Sequence, residues 1–129
     1  VAGGQIGDAS ALKLACNAWI FAITAATGQS LALAAALGVD PALFLQAIDG
    51  GPANSQYAQL KGKAILAGDF APSFGLDGAR KDLALIAEAA EGAKVDASVI
   101  DGLRAVFDAA SEAGHGGDDM SAVVTAFRP

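Results

Sequence analysis

A chain of 129 residues is the size of one ordinary domain, and it is too short for two comfortable cores. With 53% hydrophobic but only 6% aromatic residues, its core has to be built mostly from Ala, Leu, Ile and Val, small enough for helices to approach closely. The formal charge of -6, with eight scattered Lys and Arg, excludes a nucleic-acid backbone as the partner, because neutralising phosphates needs clustered cations.

The N-terminal "VAGGQIGDAS" reads as a loop and lacks the basic segment of a signal peptide. Asp8 or Ser10 is placed to cap the helix that follows, which runs to Leu37 and stops at Gly38. Residues 14–39 carry no charge and are long enough to cross a bilayer, yet Asn17, Thr24, Thr27, Gly28, Gln29 and Ser30 interrupt them. The expectation is a buried helix and no membrane.

"VDPALFLQAIDGG" predicts a short second helix, with Asp40 as cap, Pro41 at its first position and Gly50 and Gly51 at its end. A third begins near Asn54 or Ser55 and carries "SQYAQLKGKAILAG", weakened by Gly62. "DFAPSFG" is a connector, since Pro72 lacks an N–H and fixes its own φ. Beyond it, Leu83, Ile86, Ala87 and Ala90 form a helical stripe, and after Asp96 a fifth helix shows Val99, Leu103, Val106, Phe107 and Ala110 on one face. "GHGGDD" breaks that helix, and Asp119 or Ser121 caps a last one through "AVVTAF". No alternating, β-branched run reads as a strand. The fold class is all-α: one domain over 1–129, with a long N-terminal helix and about five shorter ones.

Lys13 and Asn17 stand at i and i+4, so both can address one small ligand. An ammonium at the head of so long an uncharged helix faces partial desolvation, which would bring its pKa toward the range of proton transfer. The alternative is a lysine snorkelling at a helix end while Asn17 bonds a neighbouring loop. Lys81 and Asp82, near the start of the fourth helix, read either as a solvated face or as a charge reaching an anionic ligand with Phe74 closing the site. His115 stands between glycines without a second His or a paired Cys, so no metal site is expected and an exposed, mobile loop is. Cys16 is the single cysteine: it forms no disulfide framework, suits the cytoplasm, and by default is a small buried apolar side chain. Gly4 and Gly7 do not make the dinucleotide-binding glycine pattern, and no strand precedes them.

Four segments in order carry a resemblance that covers nearly the whole chain: Gly7, Lys13 and Asn17 in the pattern G-x-x-x-x-x-K-L-x-x-N; "LGVDP"; "DFAPSF" with "KDLAL"; and "GHGGDDMSA". Together they resemble the C-terminal domain of the β-hydroxyacid dehydrogenases, which includes 3-hydroxyisobutyrate dehydrogenase and the semialdehyde reductases. The resemblance implies an NAD(P)-dependent oxidoreductase interconverting a small hydroxy acid and its semialdehyde or keto form. It places the catalytic lysine on Lys13, substrate binding on Asn17 and Phe74, and cofactor contacts on Lys81 and Asp82. It also implies that NAD or NADP is held mainly by an N-terminal Rossmann domain absent from this chain, that the isolated chain is inactive, and that such domains form homodimers or higher homo-oligomers. The sequence departs from the pattern at Cys16, where an asparagine is common, at Ala9 for glycine and at Gln29 for glutamate, the last read as structural. Two alternatives stand beside this reading: a catalytically silent helical dimerisation module, and an imine-reductase-like domain, against which Lys13 argues.

Overall fold

The computed structural model describes residues 7–129, so the glycines before Gly7 and most of the opening loop lie outside the described residues. Helix α1, Asp8–Ala36, begins behind Gly7 without a side-chain cap, so neither Asp8 nor Ser10 makes the capping bond expected of it. Asp8 instead lies in the first turn, where a carboxylate meets the positive end of the helix dipole. The helix stops where Gly38 takes the left-handed φ of +84°.

Helix α2, Ala42–Ile48, follows a turn in which the Asp40 carboxylate accepts from Ala42 N at 3.0 Å. Pro41 has helical dihedrals one residue ahead of the helix. Helix α3, Gln56–Ala67, is capped by Ser55 Oγ, which accepts from the Tyr57 and Ala58 amides. Gly68 ends it at φ +67°. Helix α4, Leu76–Gly92, and helix α5, Ser98–Ala110, are amphipathic and pack on each other. Ser111–His115 forms a wide π-type turn, and Met120–Ala126 closes the described chain as a 3-10 helix. The described residues contain no strand, only an isolated bridge between Gly75 and Asp119.

Burial corrects the stripes at two places. Val99 is 72% exposed, and Ile100 takes the inward place on α5 with Leu103, Phe107 and Ala110. On α4, Leu83, Ile86 and Ala90 are buried as expected, while Ala87 is half-buried. The last helix is no surface element: Met120 through Val124 are all buried, threaded between α1, α3, α4 and α5. A Cβ on Gly28 would stand 3.3 Å from Val124 Cα, so glycine there lets the α1 backbone close on this central turn.

One core joins Phe21 and Ala25 to Leu76, Leu83, Phe107, Met120 and Val123; a smaller one gathers Leu31, Ala32, Leu45, Ile65 and Val124. Both lie on one side of α1. The expected buried helix is thus buried on one side: Leu12, Trp19 and Leu33 remain exposed on the other, as does Leu37 just past its end. By length and composition alone α1 could cross a membrane, but a third of its most apolar window is buried against the other helices.

Candidate functional site

Helical spacing sets Lys13, Asn17 and Phe21 along one slowly turning line of α1, about 6 Å apart from one to the next. They meet different surroundings. Phe21 is fully buried, Asn17 is half-buried and Lys13 is exposed. The burial expected of Lys13 is thus not supplied by the described residues: although Leu14 packs against the core, the first fully buried position on α1 is Phe21. Among the described residues Lys13 makes no ion pair.

Asn17 Nδ2 donates to Asp82 Oδ2 of α4 at 3.5 Å, a long bond that nonetheless brings the first and third resemblance segments together. The amide's oxygen and its second N–H remain for a ligand. Lys81, next in the chain, projects from α4 as an exposed ammonium with no ion pair among the described residues.

Phe74 does not stand free. Its ring meets Phe21 edge-on, 5.2 Å between centroids at 88°, and Phe21 in turn meets Phe107 at 6.0 Å. Such edge-to-face pairs are favourable beyond their buried area. Phe74 therefore joins the core one turn beyond Asn17 while staying half-buried. Lys13, Asn17, Phe74 and Asp82 thus follow the N-terminal half of α1, with Lys81 flanking them on α4.

Two further expectations fail. Cys16 is exposed, since it falls on the outer side of α1. His115 is half-buried, and its Nδ1 is 2.9 Å from Asp118 Oδ2, so it belongs to a fixed turn. Gln29, read as structural, is also exposed.

The pair that sequence reasoning missed is Lys61 with Asp119. Lys61 Nζ lies 2.9 Å from Asp119 Oδ2, with both side chains about 5% exposed or less. Asp119 had been expected only as a helix cap, and it does accept from Ser121 N at 3.0 Å. Burial pushes its pKa up, but the bonds from Lys61 and from the Phe74, Ser121 and Ser73 amides outweigh this and hold it well below the usual carboxylate range. A signal for Lys61 was present: it falls three residues after Ala58 and four before Ile65, on the inward stripe of α3.

The family model described as NAD-binding of NADP-dependent 3-hydroxyisobutyrate dehydrogenase matches residues 7–127. The chain belongs to this family. L-threonate dehydrogenase of Cupriavidus necator is 31% identical over 125 residues, covering 97% of this chain and 42% of that protein. Glyoxylate/succinic semialdehyde reductase 2, chloroplastic, of Arabidopsis thaliana is 24% identical over 125 residues, covering 97% of this chain and 35% of the relative. The crystal structure of 3-hydroxyisobutyrate dehydrogenase from Salmonella typhimurium superposes with a TM-score of 0.85 at 27% identity, over 90% of this chain and 41% of that one. The chain thus spans roughly two fifths of the length of these family members.

Proposed function

We propose that this chain is the substrate- and proton-handling domain of an NAD(P)-dependent dehydrogenase or reductase acting on a small hydroxy acid or its semialdehyde. The observation that carries the reading is the meeting of Asn17 with Asp82, one helical turn from Lys13 and beside Lys81. Family membership supports the dinucleotide. The described residues contain no strand running into a glycine-rich helix start, the arrangement that cradles a pyrophosphate, so this chain's fit to the cofactor is a flanking charge. That cradle belongs to a Rossmann domain acting with this one.

NAD or NADP, when bound, accepts or supplies the hydride. Lys13 holds the proton at Nζ: it protonates the carbonyl oxygen as charge develops there in reduction, and takes the proton from the hydroxyl in oxidation. Its exposure in this chain leaves Nζ free to meet a substrate held between two domains. Asn17 bonds the substrate with the amide groups that Asp82 leaves open, and Asp82 orients that amide. Lys81 offers positive charge to an anionic group of the dinucleotide, and Phe74 closes the apolar side of the cleft.

Joining the chain to a Rossmann domain of the family and assaying small hydroxy acids and semialdehydes with NADPH and NADH tests this reading. Turnover that depends on Lys13 supports it; binding of neither dinucleotide by the joined protein rules it out.

Homodimerisation is part of the proposal. The outer side of α1 exposes Leu12, Trp19, Leu33 and Leu37 with no charge between Lys13 and Asp40, a face suited to a second copy. Sedimentation velocity on the chain and on Trp19→Ala checks it.

A further inference from the structure

Lys61 and Asp119 belong to none of the groups assigned to substrate or dinucleotide, yet they form a densely bonded, buried polar centre. Asp119 Oδ1 accepts from the Ser73 amide at 3.0 Å, the Phe74 amide at 3.0 Å and Ser73 Oγ at 3.3 Å. Its Oδ2 accepts from Lys61 Nζ at 2.9 Å and the Ser121 amide at 3.0 Å. Lys61 Nζ also donates to Ser73 Oγ at 3.2 Å, and its ammonium sits 5.5 Å from the centre of the Tyr57 ring.

Backbone bonds close the same segment from the other side. Asp119 N donates to Phe70 O at 2.9 Å, and Met120 N donates to Phe74 O at 2.8 Å. Both the N–H and the carbonyl of Phe74 are therefore tied to residues 119 and 120, on the turn leading into the central 3-10 helix. A connector with no helix of its own would ordinarily be among the more mobile parts of a domain. Here its Ser73 and Phe74 amides bond a buried ion pair, and the Phe74 ring meets Phe21 edge-on.

Net stability does not account for the pair, since a buried ion pair gains little over apolar side chains of equal volume. Directional bonding does account for it: an apolar residue at 119 could not accept the Ser73 and Phe74 amides. We propose that Lys61 and Asp119 are positioning residues, a buried latch that fixes residues 73–74 and thereby sets the Phe74 ring beside the Asn17 end of the site. The inference rests on the reading of Phe74 as a substrate-closing residue. The latch itself can be tested separately from that reading.

Amide hydrogen exchange followed by NMR on the 129-residue chain is the first arm. The Ser73 and Phe74 amides are expected to exchange at least about 100-fold more slowly than the Ala71 amide, whose bond goes to the exposed Asp69 carboxylate. Equal exchange at all three overturns the latch, and this comparison needs no variant. Lys61→Met is expected to speed Ser73 and Phe74 about tenfold more than Leu83 or Phe107, with Lys61→Arg recovering much of the protection. A uniform rise across all four amides makes the pair a general stabiliser and overturns the proposal.

The second arm is kinetic, in the protein joined to its nucleotide-binding domain. Lys61→Met is expected to raise the substrate KM several-fold with a smaller change in kcat, and to add little once Phe74→Ala is present. Full additivity overturns the proposal. Slow exchange at residues 73–74 together with an unchanged KM in Phe74→Ala supports the latch and overturns the substrate role of Phe74.

Discussion

Asn17 on α1 and Asp82 on α4 are separated by 65 positions in the chain and joined by a 3.5 Å contact between amide and carboxylate. The contact is half-buried, so it is shielded from solvent only in part. Its consequence is that one N–H is committed to Asp82 while the amide's oxygen and its other N–H stay open.

Removing the carboxylate should therefore disturb binding more than folding. Asp82→Ala is expected to raise the substrate KM in the joined enzyme several-fold while changing the unfolding free energy by no more than about 0.5 kcal/mol. Steady-state kinetics and a urea titration of the same variant check both halves.

Asp119 is the opposite case. Asp119→Ala leaves the Lys61 ammonium buried without its partner, a change that costs about 3–5 kcal/mol in unfolding free energy. The acid response carries the same signature. The folded-state pKa of Asp119 lies below its ordinary value of 3.8, so its contribution is present above that value and is lost as the pH falls through and below it. Urea midpoints measured from pH 6 downward should decline more steeply for the native chain than for Asp119→Ala.

Gly62 shows how a local reading can miss a tertiary one. By propensity it weakens α3, and Gly62→Ala should gain about 1 kcal/mol. A Cβ there would lie 2.7 and 2.9 Å from the two methyl carbons of Leu45, which is itself buried in the smaller core. Overpacking costs about 1–3 kcal/mol, so the net effect is expected to be destabilising, read as a lower urea midpoint.

Trp19 is 65% exposed on the uncharged side of α1. Trp19→Ala should leave the stability of the chain within about 0.5 kcal/mol. Self-association measured by sedimentation velocity should weaken in the same variant.

The helices were legible because their ends are written locally. Asp40 ahead of α2, Ser55 ahead of α3 and the glycines at 38, 50 and 68 act through the backbone of their own turn. Side-chain environment is a tertiary property and was less legible. The uncharged run on α1 suggested burial for Lys13 and Cys16, but the other helices cover only one side of α1, and full burial there begins at Phe21. Lysine as a residue type suggests solvent, although the place of Lys61 on the α3 stripe points inward. Val99 lies on the apolar stripe of α5 yet is exposed, because a hydrophobic stripe does not say where the helix ceases to have a neighbour.

The proposed role of Lys13 as the proton carrier can be tested cleanly, because the side chain is exposed and Lys13→Ala has no core to disturb. In the chain joined to its nucleotide-binding domain, kcat for semialdehyde reduction by Lys13→Ala should fall by about 10²- to 10⁴-fold, with the urea midpoint and dinucleotide affinity unchanged. Turnover equal to that of the parent protein, at the same stability, would rule out Lys13 as the proton carrier.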